Sequence, residues 1–462
     1  MLSFIRTDKQ TLKLLIAIAL PMIISQGTFA AMIFTDRFFM SLIGPTHVAA
    51  SLGGGVAAFM CMSLWIGLLS YGNALVAQFL GAGQKALCSK VVTQGLLITA
   101  LCTPLLWLMG YGVYVGFDAL GHDPVQLVLE KQYFKILLAC GFLALIKTCF
   151  SSFFAGIGNT RVVMVVDVLG VFLNIPLSYG LIFGVWGLPE LGIAGAAWGT
   201  VLSNLIAMVL FFAFYRAAKN NREYSVAGSF VFDKTLFKRY WRLGFPSGLE
   251  LFLNVAAFNA FILLFQSYGV AAGASAAIVL NWDLLSFVPM VGLNIAVISL
   301  VGRCIGAQDH QRLNSVISSG FLLGLTYSGT LALLFIVFRE QLVGVFITSA
   351  TDGEAINQLA SWMMIGMASY VMADAVILVS GGVLRGAGDT RWLMVTSVLL
   401  HWLMVVAQYV VIIVLELGPK TAWMVFVGLI LALALSFTLR LTSPAWRRHF
   451  PQEWATNEPV ST

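Results

Sequence analysis

The chain has 462 residues, 60% of them hydrophobic and 10% charged, with 26 Lys and Arg against 20 Asp and Glu. Soluble domains run at about 45–50% apolar and about 25% charged, so the composition excludes an ordinary cytosolic enzyme. The net charge of +6 falls in short loops and the tail, with no aromatic-interleaved basic face, which excludes a nucleic-acid partner.

In chain order, Arg6, Lys9 and Lys13 precede an apolar run that continues past Pro21 and Phe34 towards Leu42. A cleaved leader has an apolar core of only about 7–15 residues, so this run reads as a retained first membrane helix. Eleven further runs follow, giving twelve segments at 12–41, 48–79, 91–116, 134–156, 161–184, 191–216, 243–268, 274–302, 314–338, 355–384, 392–416 and 420–442. Each can supply the roughly 20 apolar residues that a spanning helix needs. Pro21, Pro176, Pro246 and Pro289 lie inside segments, where neighbouring helices can satisfy the freed carbonyls. The expected fold is an all-α polytopic membrane protein.

With the N-terminus placed in the cytoplasm, twenty of the 26 Lys and Arg lie on the inner side. Lys131, Lys135, Arg339 and Lys420 fall outside, while Arg37 and Lys147 sit at or near helix ends. This asymmetry predicts that both termini are cytoplasmic. The polar stretch from Tyr215 to Arg242 divides the chain. The expected organisation is a six-helix lobe over 1–216, a cytoplasmic linker over 217–242, a second six-helix lobe over 243–442 and a tail over 443–462.

Internal repetition supports two halves. VAQFLGAGQ at Val76–Gln84 matches VGRCIGAQD at Val301–Asp309, and ALP at Ala19–Pro21 matches GFP at Gly244–Pro246, both at an offset of 225. GIGNTR at Gly156–Arg161 matches GAGDTR at Gly386–Arg391 at an offset of 230. Both copies begin and end on the same side, so the repeat is parallel, about an axis along the membrane normal.

Carboxylates inside spans cost about 2.5–3.5 kcal/mol each on insertion scales, which makes them functional candidates. Five stand out: Asp36, Asp167, Glu250, Asp283 and Asp374. Asn174 and Ser178 are i,i+4 neighbours on the fifth segment, and Asp167 lies two turns before Asn174 on the same face. Tyr370 and Asp374 are likewise i,i+4 on the tenth. The bland alternatives are an ion pair of Asp36 with Arg37, and hydrogen bonds from Glu250 or Asp283 within helices kinked near Pro246 or Pro289. The six cysteines show no CxxC spacing and the five histidines are scattered, so neither a disulfide framework nor a zinc site is expected. A Walker sequence and any HExxH, DDxxD or GxSxG motif with a usable base are missing, which argues against ATP drive and against an intramembrane enzyme.

These motifs resemble the multidrug and toxic compound extrusion (MATE) family over essentially the whole chain. The resemblance is carried by Thr35–Asp36, Gly81–Gln84, GIGNTR, LNIPLSYGLIFG at Leu173–Gly184, RLGFP at Arg242–Pro246 and DAVILVSGGVLRGAGDTR at Asp374–Arg391. It points to the bacterial branches, above all the NorM-like branch at the tenth helix.

The resemblance implies a V-shaped alternating-access transporter whose first, fifth and sixth helices bind the coupling cation or proton. Asp36, Asn174 and Thr200 match those positions, while Ser178 stands where Asp or Asn is often found. In the second half Tyr370 and Asp374 match cation-binding positions. Asn254 occupies a position that is acidic in the family, and Glu250 and Asp283 are expected to join Asp374 in a relocated acidic cluster. Asp167 has no counterpart carried over.

The implied activity is secondary antiport across a bacterial inner membrane. Na⁺ or H⁺ would move inward as cationic amphipathic small molecules move out through a monomer that needs no cofactor. Na⁺ could sit at Asp36 or Asp374, since one carboxylate with neutral oxygens suits a hard cation, and the same carboxylate could instead carry a proton. A lipid-linked or glycan flippase of the related superfamily is the other transport reading, disfavoured by the acidic intramembrane set.

Overall fold

A computed structural model describes residues 8–119, 121–346 and 353–450. The described residues are helical throughout, with short loops. Among the described residues eleven helices are long and apolar enough to cross a membrane, or twelve with the bent pair Pro124–Ala139 and Gly141–Gly156 counted as one span.

The first half holds α1 (Lys9–Ile43), α2 (Pro45–Ser70), α3 (Gly72–Gly81), α4 (Lys85–Gly116), α5 (Pro124–Ala139), α6 (Gly141–Gly156), α7 (Thr160–Phe183) and α8 (Ile193–Arg216). α9 (Ala218–Tyr224) leads to the second half: α10 (Lys234–Gln266), α11 (Val270–Gly306), α12 (His310–Val337), α13 (Arg339–Gly344), α14 (Gly353–Ala387), α15 (Thr390–Tyr409) and α16 (Pro419–Thr442). Pro21, Pro176, Pro246 and Pro289 all lie within helices, as does Pro104.

The helix bounds reproduce the repeat. α1 and α10 open at Lys9 and Lys234, the same offset that separates ALP from GFP. α7 and α15 open at Thr160 and Thr390, each inside its copy of the GxGxTR motif, and α8 and α16 are both 24 residues long. The repeated GxGxTR turn has one conformation in both copies. Gly158 and Gly388 take φ of 77° and 91°, a left-handed region open to glycine at little cost. The next residue then donates its N–H back into the preceding helix, Asn159 to the Phe154 carbonyl and Asp389 to the Leu384 carbonyl, both at 2.9 Å.

Asp389 is 2% exposed and accepts from Arg440 Nη2 at 2.7 Å and Nε at 2.8 Å. Breaking such a pair strands a buried charge. Arg440→Met is therefore expected to cost about 3 kcal/mol, read as a lower thermal midpoint of the detergent-solubilised protein. An unchanged midpoint would show that the pair does not hold α16 to the turn.

The chain forms two compact units, one of Met1–Ile23 with Leu253–Thr462 and the other of Ile24–Phe252. Their borders fall inside α1 and α10, whereas the sequence suggested borders at the linker. The opening of each half's first helix is the cause. Leu15, Ile18 and Ala19 are buried with Met290 and Leu293 of α11 in the first unit. In the second unit Gly248 of α10 meets α2 so closely that a Cβ at Gly67 would stand 2.8 Å from its Cα.

The stretch at 217–242 is also more structured than a tether, since it contains α9 and the opening of α10. Ser89 donates to the Tyr224 carbonyl at 2.7 Å, Gln94 to the Val231 carbonyl at 2.9 Å, and Tyr240 to the Leu69 carbonyl at 2.6 Å. At its rim the Lys85 ammonium, 2.9 Å away, holds the Glu223 carboxyl below the ordinary value of 4.5. That contribution to docking is present above 4.5 and is lost as pH falls through the lowered value.

The fourth span begins at Pro124, ten residues before the apolar run suggests. Asp123 caps it by accepting from Val125 and Gln126 N–H groups. It breaks at Cys140, and α5 and α6 meet with a bend of 44°. In the second half α14 runs unbroken through the corresponding position, Tyr370.

Candidate functional site

In the second unit, α1, α7 and α8 bring together four of the residues expected to act. Asp36 on α1 is 6% exposed and accepts from the Thr200 hydroxyl of α8 at 3.1 Å. The Ser178 hydroxyl of α7 also lies beside the Asp36 carboxylate, and Asn174 Nδ2 donates to Ser178 Oγ at 3.2 Å. Asn174 and Ser178 are fully buried.

α7 and α8 can approach because α8 presents small residues. A Cβ at Gly195 would strike the Leu181 carbonyl, and one at Gly199 would strike Ser178 Oγ and stand 2.8 Å from its Cα. Phe39, Met40, Tyr133 and Ile182 belong to the apolar cluster of the same region. Among the described residues no ion pair joins Asp36 to Arg37.

Two acceptors are left over. Asp36 Oδ1 and Asn174 Oδ1 are buried with no hydrogen-bond donor among the described residues. An orphaned buried oxygen costs about 1–3 kcal/mol. A proton on the carboxylate or a bound hard cation would relieve it. One carboxylate with an amide oxygen and two hydroxyls matches the donor set of a monovalent cation.

The duplicated position in the other half carries no such chemistry. At the repeat offsets Asp36 and Asn174 correspond to Phe261 and Met404, and aligning α8 with α16 from their first residues sets Thr200 against Phe426. Phe261 and Phe426 stack at 4.4 Å with planes 6° apart, and Met404 is 2% exposed. The same helix junction is a polar site in one half and an apolar plug in the other.

In the first unit, Asp283 on α11 lies near Tyr370 and Asp374 on α14. Tyr370 is 1% exposed and the two aspartates are half-buried. Tyr370 Oη and Asp283 Oδ1 are close neighbours without an aligned hydrogen bond. Tyr370 also meets Trp423 and Phe426 edge-on, at 6.2 and 5.5 Å.

Glu250 does not complete this group within the unit. It is 3% exposed on the part of α10 that belongs to the other unit, because α10 is divided after Phe252. Within this unit the expected cluster is represented by Asp283 and Asp374 with Tyr370. Asn254 donates to Ser397 Oγ of α15 at 2.8 Å.

Asp167 has partners of its own on α6 and α1. It pairs with Lys147 of α6 at 2.9 Å and accepts from the Ser25 hydroxyl of α1. Lys147 is mid-helix, nine residues before the end of α6 at Gly156.

Besides Asp389, one more buried acid among the described residues lies outside the five selected from the sequence. Glu130 on α5 is 0% exposed, with its carboxylate accepting from Gln126 at 2.8 Å and paired with His122 at 2.8 Å. It falls before the apolar run at 134, and the Asp123–Pro124 cap-and-start pair was the signal that the helix extends over it.

Bacterial relatives of the chain include the probable multidrug resistance protein NorM of Mannheimia succiniciproducens, 26% identical over 429 residues and 90% of each chain. Another is the multidrug resistance protein MdtK of Proteus mirabilis, 28% identical over 448 residues and 94% of each.

Among solved structures, an outward-facing multidrug resistance MATE family transporter of the MOP superfamily superposes with a TM-score of 0.84 at 19% identity. The match covers 96% of this chain and 99% of that one. A MOP superfamily transporter from Pyrococcus furiosus superposes equally well, at 0.84 and 19%. The MatE family profile matches residues 21–180 and again 246–410. Its two copies start at the offset of the ALP and GFP motifs and end at that of the GxGxTR turns. The chain belongs to the MatE family.

Proposed function

We propose that the chain is a secondary antiporter of a bacterial inner membrane, exporting cationic amphipathic molecules as Na⁺ or H⁺ moves inward by alternating access. The observation that carries this reading is the Asp36 site: a buried carboxylate, two hydroxyls and an amide oxygen with two acceptors unfilled. A site of this kind gains a cation or a proton and loses it again with modest rearrangement, as coupling requires. Its restriction to one half supports coupling at Asp36, Asn174, Ser178 and Thr200. Asp283, Tyr370 and Asp374, beside aromatic rings, then serve substrate or a second cation, through charge and cation–π attraction.

Family membership and the multidrug resistance proteins among the relatives support transport over an intramembrane enzyme. The lysine and arginine asymmetry supports cytoplasmic termini. The test is efflux of a fluorescent organic cation from proteoliposomes under an imposed Na⁺ gradient, pH gradient or neither. Efflux driven by one gradient and not by its absence is expected. Equal efflux in all three rejects antiport.

A further inference from the structure

Lys147 and Asp167 form an ion pair that coupling at Asp36 does not use. α6 ends at Gly156 and α7 starts at Thr160. At about 1.5 Å per residue, Lys147 and Asp167 lie about 14 and about 11 Å from that turn, well inside a hydrocarbon layer of about 30 Å. Charges at such depth are costly and mark functional sites by default.

The plain alternative is that the pair fastens α1, α6 and α7 together. The duplicated fold argues against it. At the offset of 230, fixed locally by the GxGxTR turns, Lys147 corresponds to Ile377 and Asp167 to Ser397. There Asn254 of α10, one turn beyond the counterpart of Ser25, donates to Ser397 at 2.8 Å. The second half repeats neither charge of this pair, although its counterpart of Ser25 at the α1–α10 offset of 225 is the carboxylate Glu250.

The paired oxygen, Asp167 Oδ1, is buried, but both side chains are partly exposed. The Lys147 side chain is 26% exposed and that of Asp167 is 12% exposed, and a lysine stem is long enough to withdraw its ammonium towards the interface.

We propose that Asp167 with Ser25 is a second, inner-half subsite for protonated amines, occupied at rest by the Lys147 ammonium as an internal stand-in. Carboxylate and hydroxyl form a receptor for one –NH₃⁺ group, and here the protein supplies that group itself. A substrate bearing a protonated amine displaces Lys147 and takes the same hydrogen bonds. A permanently charged cation without N–H takes the charge but not the bonds, and competes poorly. This rests on the reading of the chain as an exporter of organic cations, and adds a preference for protonated amines at a position unrelated to coupling.

The test is equilibrium binding to the detergent-solubilised full chain, which needs no gradient and so is read separately from antiport. The probes are dansylcadaverine, a primary ammonium, and tetraphenylphosphonium, which has no N–H. Lys147→Met removes the competitor, and because a hydrogen bond to a charged group contributes about 1.5–3 kcal/mol, dansylcadaverine is expected to bind about tenfold tighter while tetraphenylphosphonium is unchanged.

The double variant Lys147→Met/Asp167→Asn replaces both charges with neutral groups of similar size. It is expected to melt as the wild type does and to lose any preference for dansylcadaverine. If Lys147→Met does not fold, the double variant alone decides. Retained preference in it overturns the proposal, as does a Lys147→Met chain that shifts both probes equally or neither.

Discussion

Asp36→Asn is expected to reduce gradient-driven efflux at least about tenfold, the factor that corresponds to about 1.4 kcal/mol, while the protein still folds. Asparagine fills the same volume, and its carbonyl can still accept from the Thr200 hydroxyl that bonds Asp36 at 3.1 Å. What it loses is the ability to gain and release a proton or to neutralise a cation beside Asn174. Efflux in proteoliposomes should therefore fall without a lower thermal midpoint. Binding of the organic cation should remain within about threefold, since the substrate-facing groups are untouched. Full efflux by Asp36→Asn would remove the Asp36 site from coupling, and lost binding with retained coupling would exchange the roles of the two sites.

Gly199→Val is expected to damage both stability and transport. A Cβ at Gly199 has no room: it meets Ser178 Oγ, and the Ser178 Cα at 2.8 Å is backbone and cannot rotate away. Overpacking of a closed helix interface costs about 1–3 kcal/mol, and valine adds two methyls beyond the Cβ. α7 must then separate from α8, which pulls Ser178 and Asn174 from Asp36 and Thr200. The expected result is a lower melting midpoint together with efflux near background. Gly112→Ala, on α4 with open space around it, serves as the control and should change neither. A Gly199→Val protein that melts normally would mean that the helices have slack at this point.

Much of this was legible in the sequence, for reasons that show in particular residues. Apolar runs gave the twelve segments because a bilayer imposes one length on every span. The glycines of GIGNTR and GAGDTR revealed the duplication because a left-handed turn, with φ of 77° at Gly158, tolerates little else. Ser178 and Asn174 could be grouped from their spacing of four.

What the sequence could not supply was the partner across space. Thr200 reaches Asp36 from a helix far along the chain, and only family resemblance placed it there. Glu250 was grouped with Asp283 and Asp374 by its position on a helix of the second half, and that helix is divided between the units after Phe252. Glu130 escaped because it lies with Lys131 before the apolar run that starts at 134. Periodicity records which face of a helix is buried, but not against what.

The division of α1 and α10 between the units bears on how such a chain could arise. A single repeat carries at its start a helical segment, Lys9–Ile23 or the opening of α10, whose packing partners are encoded by the other repeat. Before gene fusion, one repeat alone would have left that segment's apolar side without a partner. Two copies would have closed only by trading these segments, as a domain-swapped dimer does. Present-day fragments cut within 217–233 should inherit this dependence: neither is self-sufficient, and each should accumulate in the membrane only when the other is synthesised beside it.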